Sequence, residues 1–245
     1  MIEIKMLKEK DFKGYTFIEG FPGTGLVGPM AISYIIDKLG LSYAGYIDSN
    51  DFPPLVSVHG GTPMKPVRIY YSDKYKICTV FAEFAIPINI IYELSQQLYK
   101  FIKDNKFSRI VSIGGIPQQN TTLQKAFAIA STPSLQKLAK GSGLNLISDG
   151  VSIGVSALLL SNAVLDNMDD VDILIPVASD IVDPKYAEIA ILALNKMISL
   201  SIDISDLEKE AKEVETKIRD LMKKGKDTHD NYKKVVNDTS PSMYA

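Results

Sequence analysis

Residues 23–28, Gly-Thr-Gly-Leu-Val-Gly, spell G-x-G-x-x-G between the apolar run at 15–20 and a longer apolar segment that ends at Leu39. In a dinucleotide site such glycines let backbone N–H groups and a helix N-terminus approach a pyrophosphate, and a carboxylate about 20 residues on holds a ribose hydroxyl. Asp48 stands at that distance from Gly28. Pro22 and Pro29 bracket the loop, however, and remove backbone donors where a phosphate would need them. The competing reading makes Gly23, Gly25 and Gly28 a structural turn through which strand and helix approach closely. It is the favoured one, because the rest of the chain supplies no partner for hydride chemistry.

The other reactive side chains are few. His59 lies in the loop Val-Ser-Val-His-Gly-Gly-Thr-Pro and His229 in a charged stretch, neither at metal-ligand spacing from another ligand. Cys78, the sole cysteine, sits in an apolar run and reads as an inert core residue. Glu83 ends a strand candidate, where it either faces a pocket or pairs with Arg68 or a lysine. Residues 165–172, Leu-Asp-Asn-Met-Asp-Asp-Val-Asp, read as a solvated acidic loop without the order of a calcium loop. No G-x-S-x-G, Walker loop or H-E-x-x-H occurs. Catalysis and a bound cofactor are therefore not expected. At the far end a polar stretch closes in Met243, Tyr244 and Ala245. An apolar side chain, a phenol and a terminal carboxylate are a set that a narrow pocket on a partner could hold.

The elements that must position these residues are legible in the hydropathy pattern. Residues 15–20, 41–48, 66–72, 76–84, 107–116, 126–131 and 171–177 read as strands, with 66–72 and 76–84 forming a hairpin. Helices are expected up to Leu39, over 88–105, and at about 133–140, 152–166 and 184–200, the first stopped by Gly40. Strands alternating with helices predict an α/β layered sandwich with a largely parallel sheet, covering residues 1–203. A Ser205–Glu208 capping box then opens a heptad seam of Leu207, Ala211, Val214, Ile218 and Leu221. That seam predicts an amphipathic helix over 204–224, packed on its own domain or on a second copy. Residues 225–245 read as a flexible tail.

A net charge of −2 and a pI near 5.8 give no electrostatic case for nucleic acid or an anionic membrane. The N-terminus is too charged for a signal peptide, and no apolar run is long enough to span a bilayer. The cytoplasm is the expected location.

Taken together, "FIEGFPGTGLVGPMAISYIIDKLG", "GYIDSNDFPPLVSVHGG", "RIYYS" and "FAEFAIP" resemble the proteasome assembly chaperone 2 family in its archaeal form. The likeness is strongest over 15–90 and looser from about 140 to 180. It implies a fold similar to nucleoside phosphorylases without their catalysis, so the glycine loop would be an inherited turn. It further implies an ATP-independent homo-oligomer whose C-terminal hydrophobic–Tyr–any residue motif docks between α subunits of the proteasome core particle. Met243, Tyr244 and Ala245 match that motif. The function implied is an assembly chaperone, a gate-opening activator, or both. The alternative from the residues alone is a nucleotide- or nucleoside-binding enzyme that uses the Gly23–Gly28 loop.

Overall fold

The computed structural model describes residues 1–118, 125–178 and 182–207, together with Thr216 and Lys223. Strand β1 (Ile2–Met6) precedes β2 (Thr16–Gly20), and a short 3-10 turn at Thr24–Leu26 leads into helix α1 (Val27–Leu39). Gly40 closes α1 in the left-handed region at φ 60°, as its place after the last apolar residue predicts. Strand β3 (Ser42–Ser49) follows, then a small hairpin of β4 (Ser57–His59) and β5 (Thr62–Met64). The hairpin of β6 (Val67–Ser72) and β7 (Ile77–Ala82) leads to α2 (Ile91–Asp104) and β8 (Arg109–Pro117). The chain continues through β9 (Phe127–Ala130), α3 (Pro133–Gly141), β10 (Asn145–Leu146), α4 (Val155–Asp166), β11 (Asp170–Val177) and α5 (Pro184–Met197).

Nine strands form one sheet in the order β1-β3-β6-β7-β2-β8-β11-β9-β10. The middle four, β7-β2-β8-β11, are parallel, as expected of strands joined through helices. Antiparallel pairs flank them, β3 with β1 and β6, β6 with β7, and β9 with β11. The sheet is therefore mixed, with a parallel centre.

Helices cover both faces. On one side α1, α3 and α5 bury Met30, Ile35, Leu135, Tyr186 and Leu194 against Ile18, Val111 and Ile173 of the central strands. On the other, α2 and α4 bury Leu94, Leu98, Ile102 and Leu159 against Phe17, Cys78 and Ile110. Alternate residues along β2 and β8 thus serve two cores, which is why apolar residues follow one another in Phe17–Ile18 and Ile110–Val111 instead of alternating with exposed ones.

Three features depart from the sequence reading. Residues 57–64 are not an open loop: they form the β4–β5 hairpin around Gly60 and Gly61, both at positive φ. Residues 2–6 add an edge strand whose alternating pattern is short and charged. The acidic stretch 165–172 is not a solvated loop either. It contains the end of α4 and the start of β11, with Asp170 and Asp172 buried.

Candidate functional site

Two of the three loop glycines, Gly25 and Gly28, are packed against the protein itself, and Gly23 faces open space. A Cβ at Gly28 would stand 2.6 Å from the carbonyl oxygen of Ile113 and 2.8 Å from Gly20 Cα, so helix α1 rests directly on β2 and β8. A Cβ at Gly115 would meet the Thr24 carbonyl at 2.2 Å. Gly25 takes φ 69°, which lets the 3-10 turn reverse above Val177. Pro29 is the third residue of α1, where its missing N–H interrupts no helical bond.

Asp48 does not meet this loop. It lies on β3, and the sheet order places β6 and β7 between β3 and β2. Three strand spacings of about 4.8 Å separate it from the glycine turn by roughly 14 Å across the sheet. Its carboxylate accepts from Lys65 Nζ at 2.6 Å. The sequence interval that suggested a ribose carboxylate is not matched by an adjacent strand.

Glu83 belongs to a different constellation. Arg68 Nη2 lies 2.7 Å from Glu83 Oε1, with both side chains almost wholly buried, and His59 Nε2 approaches the same oxygen at 2.9 Å. The guanidinium stacks over Phe81, 5.1 Å from the ring centre. Burial alone would push the Glu83 carboxyl up. The contacts from His59, Arg68 and Ser57 outweigh it and leave the group below its ordinary value. His59 therefore ties the β4–β5 hairpin to the body through Glu83, whose pairing with Arg68 is one of its two sequence readings.

Glu19, Asp170 and Asp172, which the sequence reading did not mark as a cluster, meet on the α2/α4 face. Glu19 of β2 and Asp172 of β11 each pair in register with Ser112 of β8, so the row runs Glu19–Ser112–Asp172 across three strands. Asp170 sits two residues before Asp172 on the same face. Burial pushes the Glu19 carboxyl up to about 7, against a hydrogen bond from the Phe21 N–H and the influence of the neighbouring Ser112 hydroxyl. Burial and the Glu19 charge push Asp172 up to about 8, and Asp170 is raised well above the carboxylate range by burial and by Asp172. These groups hold protons where ordinary carboxyls do not. Among the described residues no group of three or more His, Cys, Asp or Glu is arranged to hold a metal ion. Burial alone pushes the Cys78 thiol well up, in keeping with an inert core residue.

The C-terminal segment leaves the domain from a defined place. Asn195 of α5 exchanges two 3.0 Å hydrogen bonds with the backbone of Ile202. The Tyr34 hydroxyl of α1 donates to the Asp203 carbonyl at 2.8 Å, and Lys38 Nζ lies 2.9 Å from Asp206 and 3.7 Å from Asp203. Leu207 is 1 % exposed and joins the α1/α5 core, so the first member of the heptad seam is spent within its own chain. The Ser205 hydroxyl donates to Asp203. Leu207, Thr216 and Lys223 are helical. Ala211, Val214, Ile218 and Leu221 lie outside the described residues, as do Glu208, His229 and the terminal Met243, Tyr244 and Ala245.

These features define a three-layer α/β/α domain whose glycine loop is a packing turn and whose C-terminal segment is rooted on α1 and α5. The chain belongs to the PAC2 family, whose model matches residues 17–222. An uncharacterized protein of Methanocaldococcus jannaschii is 31% identical over 211 residues, covering 86% of this chain and 87% of that protein. PbaA of Pyrococcus furiosus, an archaeal homolog of proteasome-assembly chaperone, superposes with a TM-score of 0.82 at 24% identity, covering 93% of this chain and 100% of that one. PbaB of the same organism, an archaeal proteasome activator, gives a TM-score of 0.74 at 23% identity over 90% and 98% of the two chains. Among the described residues no helix is long and apolar enough to cross a membrane.

Proposed function

We propose that this chain is an ATP-independent proteasome-binding protein, an assembly chaperone or gate-opening activator, that docks Met243, Tyr244 and Ala245 between α subunits of the core particle. The observation that carries the reading is PAC2 membership across residues 17–222, in a fold shared with PbaA and PbaB. The residue types at 243–245 suit the role. Met243 and the Tyr244 ring bury apolar surface, the phenol needs one hydrogen-bond partner, and a terminal carboxylate at Ala245 takes a charge-assisted bond from a pocket lysine. One ring burying ~150–250 Å² at ~25 cal/mol per Å² contributes about 4–6 kcal/mol before ordering and association costs. A single tail binds weakly on this arithmetic, and several tails on one oligomer gain ~10²–10⁴ in avidity.

The oligomer has a candidate surface. Helices α2 and α4 both lead into parallel strands, so both begin at the end where those strands finish. Around their first turns stand Ile88, Tyr92, Val151 and Ile153, each between 67% and 92% exposed. Exposed apolar groups gathered at one end mark an interaction surface, and a second copy of the chain is the occupant this reading assigns to it.

Co-sedimentation with recombinant α rings tests the function. The full chain is expected to bind and a chain lacking residues 243–245 is not; equal binding by both, or by neither, overturns tail docking. Peptide hydrolysis by the mature particle then separates gate opening from assembly.

A further inference from the structure

We infer that the contacts of Asn195, Tyr34 and Lys38 with residues 202–206 form a fixed mount that sets where and in what direction the C-terminal segment leaves the domain. The inference rests on the proposed tail docking for its consequence, and on the described residues for its geometry.

The mount is built from both helices beneath it. Asn195 offers its amide as a peptide would, donating through Nδ2 to the Ile202 carbonyl and accepting at Oδ1 from the Ile202 N–H. A side chain that satisfies both polar groups of one residue fixes that residue's position and its rotation about the chain. One residue on, Tyr34 takes the Asp203 carbonyl. Asp203 then bends the chain by accepting from its own Ser205 N–H and hydroxyl, and the Leu207 N–H donates to the Ile204 carbonyl. Ile202 and Leu207, 4% and 1% exposed, are pressed into the α1/α5 core at either end of this turn. Lys38, 23% exposed, closes the outer edge over Asp206 and Asp203.

Such a root matters because of what the sequence places next. The heptad seam that starts at Leu207 predicts a helix continuing to residue 224, and a helix is a rod of ~1.5 Å per residue, so ~18 residues carry any change of angle at the root to a tip about 27 Å away. A tilt of roughly 30° there moves the tip by about 14 Å, comparable to the ~10 Å width of a helix. A loose root scatters the tips of an oligomer, and avidity falls when the sites cannot be engaged together.

The test uses the full chain. Amide hydrogen exchange is followed at Ile202, Ser205 and Leu207, with Val111 in the central strand β8 reporting that the body stays folded. Affinity for α rings is measured on the same samples. Asn195→Ala and Lys38→Ala are expected to speed exchange at 202–207 by ~10-fold or more without change at Val111, and to weaken ring binding by a similar factor. Lys38→Arg keeps the ion pairs and is expected to retain both. Unchanged exchange in Asn195→Ala overturns the mount. Faster exchange with full ring affinity overturns its part in delivering the tail. Loss of Val111 protection in Asn195→Ala passes the decision to the surface variant Lys38→Ala, which removes no buried group. Failure of the unmodified chain to bind rings is a separate result: it defeats tail docking and the delivery role with it, while exchange still decides whether the root is held.

Discussion

Two buried polar groups lie on opposite faces of one sheet and solve the same problem differently. On the α1 side, Glu83 is matched by Arg68 and His59, and its carboxyl is held below the ordinary range. On the α2/α4 side, Glu19, Asp170 and Asp172 share a buried row around Ser112, and their carboxyls are pushed up instead. Burial acts in the same direction on all four. The difference is the presence of a cation, which lets one group keep its charge while the others keep their protons.

The largest effect is expected from breaking the balanced pair. Arg68→Met leaves the Glu83 charge uncompensated and is expected to cost about 3–5 kcal/mol in urea unfolding, whereas the double change Arg68→Met with Glu83→Gln recovers most of it. Equal losses in the single and double variants would show that packing over Phe81, not charge, is what Arg68 supplies.

The proton-balanced row predicts a pH dependence of opposite sign. Its carboxyls have folded values above the unfolded ones, near 4, so their contribution is complete below that pH and is lost as pH rises through about 7 to 8. Glu83, depressed on folding, contributes above its unfolded value and loses that only as pH falls into the acid range. The melting temperature is therefore expected to decline between about pH 4 and 8. Asp172→Asn should flatten that decline and gain about 1–3 kcal/mol at pH 9, or roughly 2–4 °C for each kcal/mol. A flat profile in the unmodified protein contradicts the buried, protonated row.

A smaller shift comes from Ser112. Its hydroxyl lowers both Glu19 and Asp172. Ser112→Ala is thus expected to move the midpoint of that decline upward by less than about one pH unit, visible in a thermal-melt series. Smallest is His59→Gln, because the imidazole is 38% exposed: a loss of less than about 1 kcal/mol, with faster exchange confined to the β4–β5 hairpin.

Most of the framework is legible in the sequence. Gly40 marks the end of α1, Pro133 and Pro184 stand at the starts of α3 and α5, and the apolar periodicity of 91–102 marks the buried face of α2. The acidic row is not. In sequence, Asp170 and Asp172 sit in a run of charge that resembles solvated loop, and only the pairing of β11 with β8 turns them inward beside Ser112. Asp48 misled in the other direction: its interval from Gly28 suits a ribose contact, but interval says nothing about which strands become neighbours. The β4–β5 hairpin did leave a signal, since two glycines between alternating residues favour a tight turn, although three-residue strands give it little weight.

By itself the sequence determined the α/β class, the order of the main elements, the glycine turn and the residue types at 243–245, because local periodicity, caps and motifs are properties of neighbours along the chain. The tertiary structure alone decided which carboxyls are buried without a cation, which strands separate Asp48 from the loop, and that Leu207 is used within its own domain. Those depend on what is brought together across the sheet and between α1 and α5, and strand order and burial are set by the packing of the whole domain.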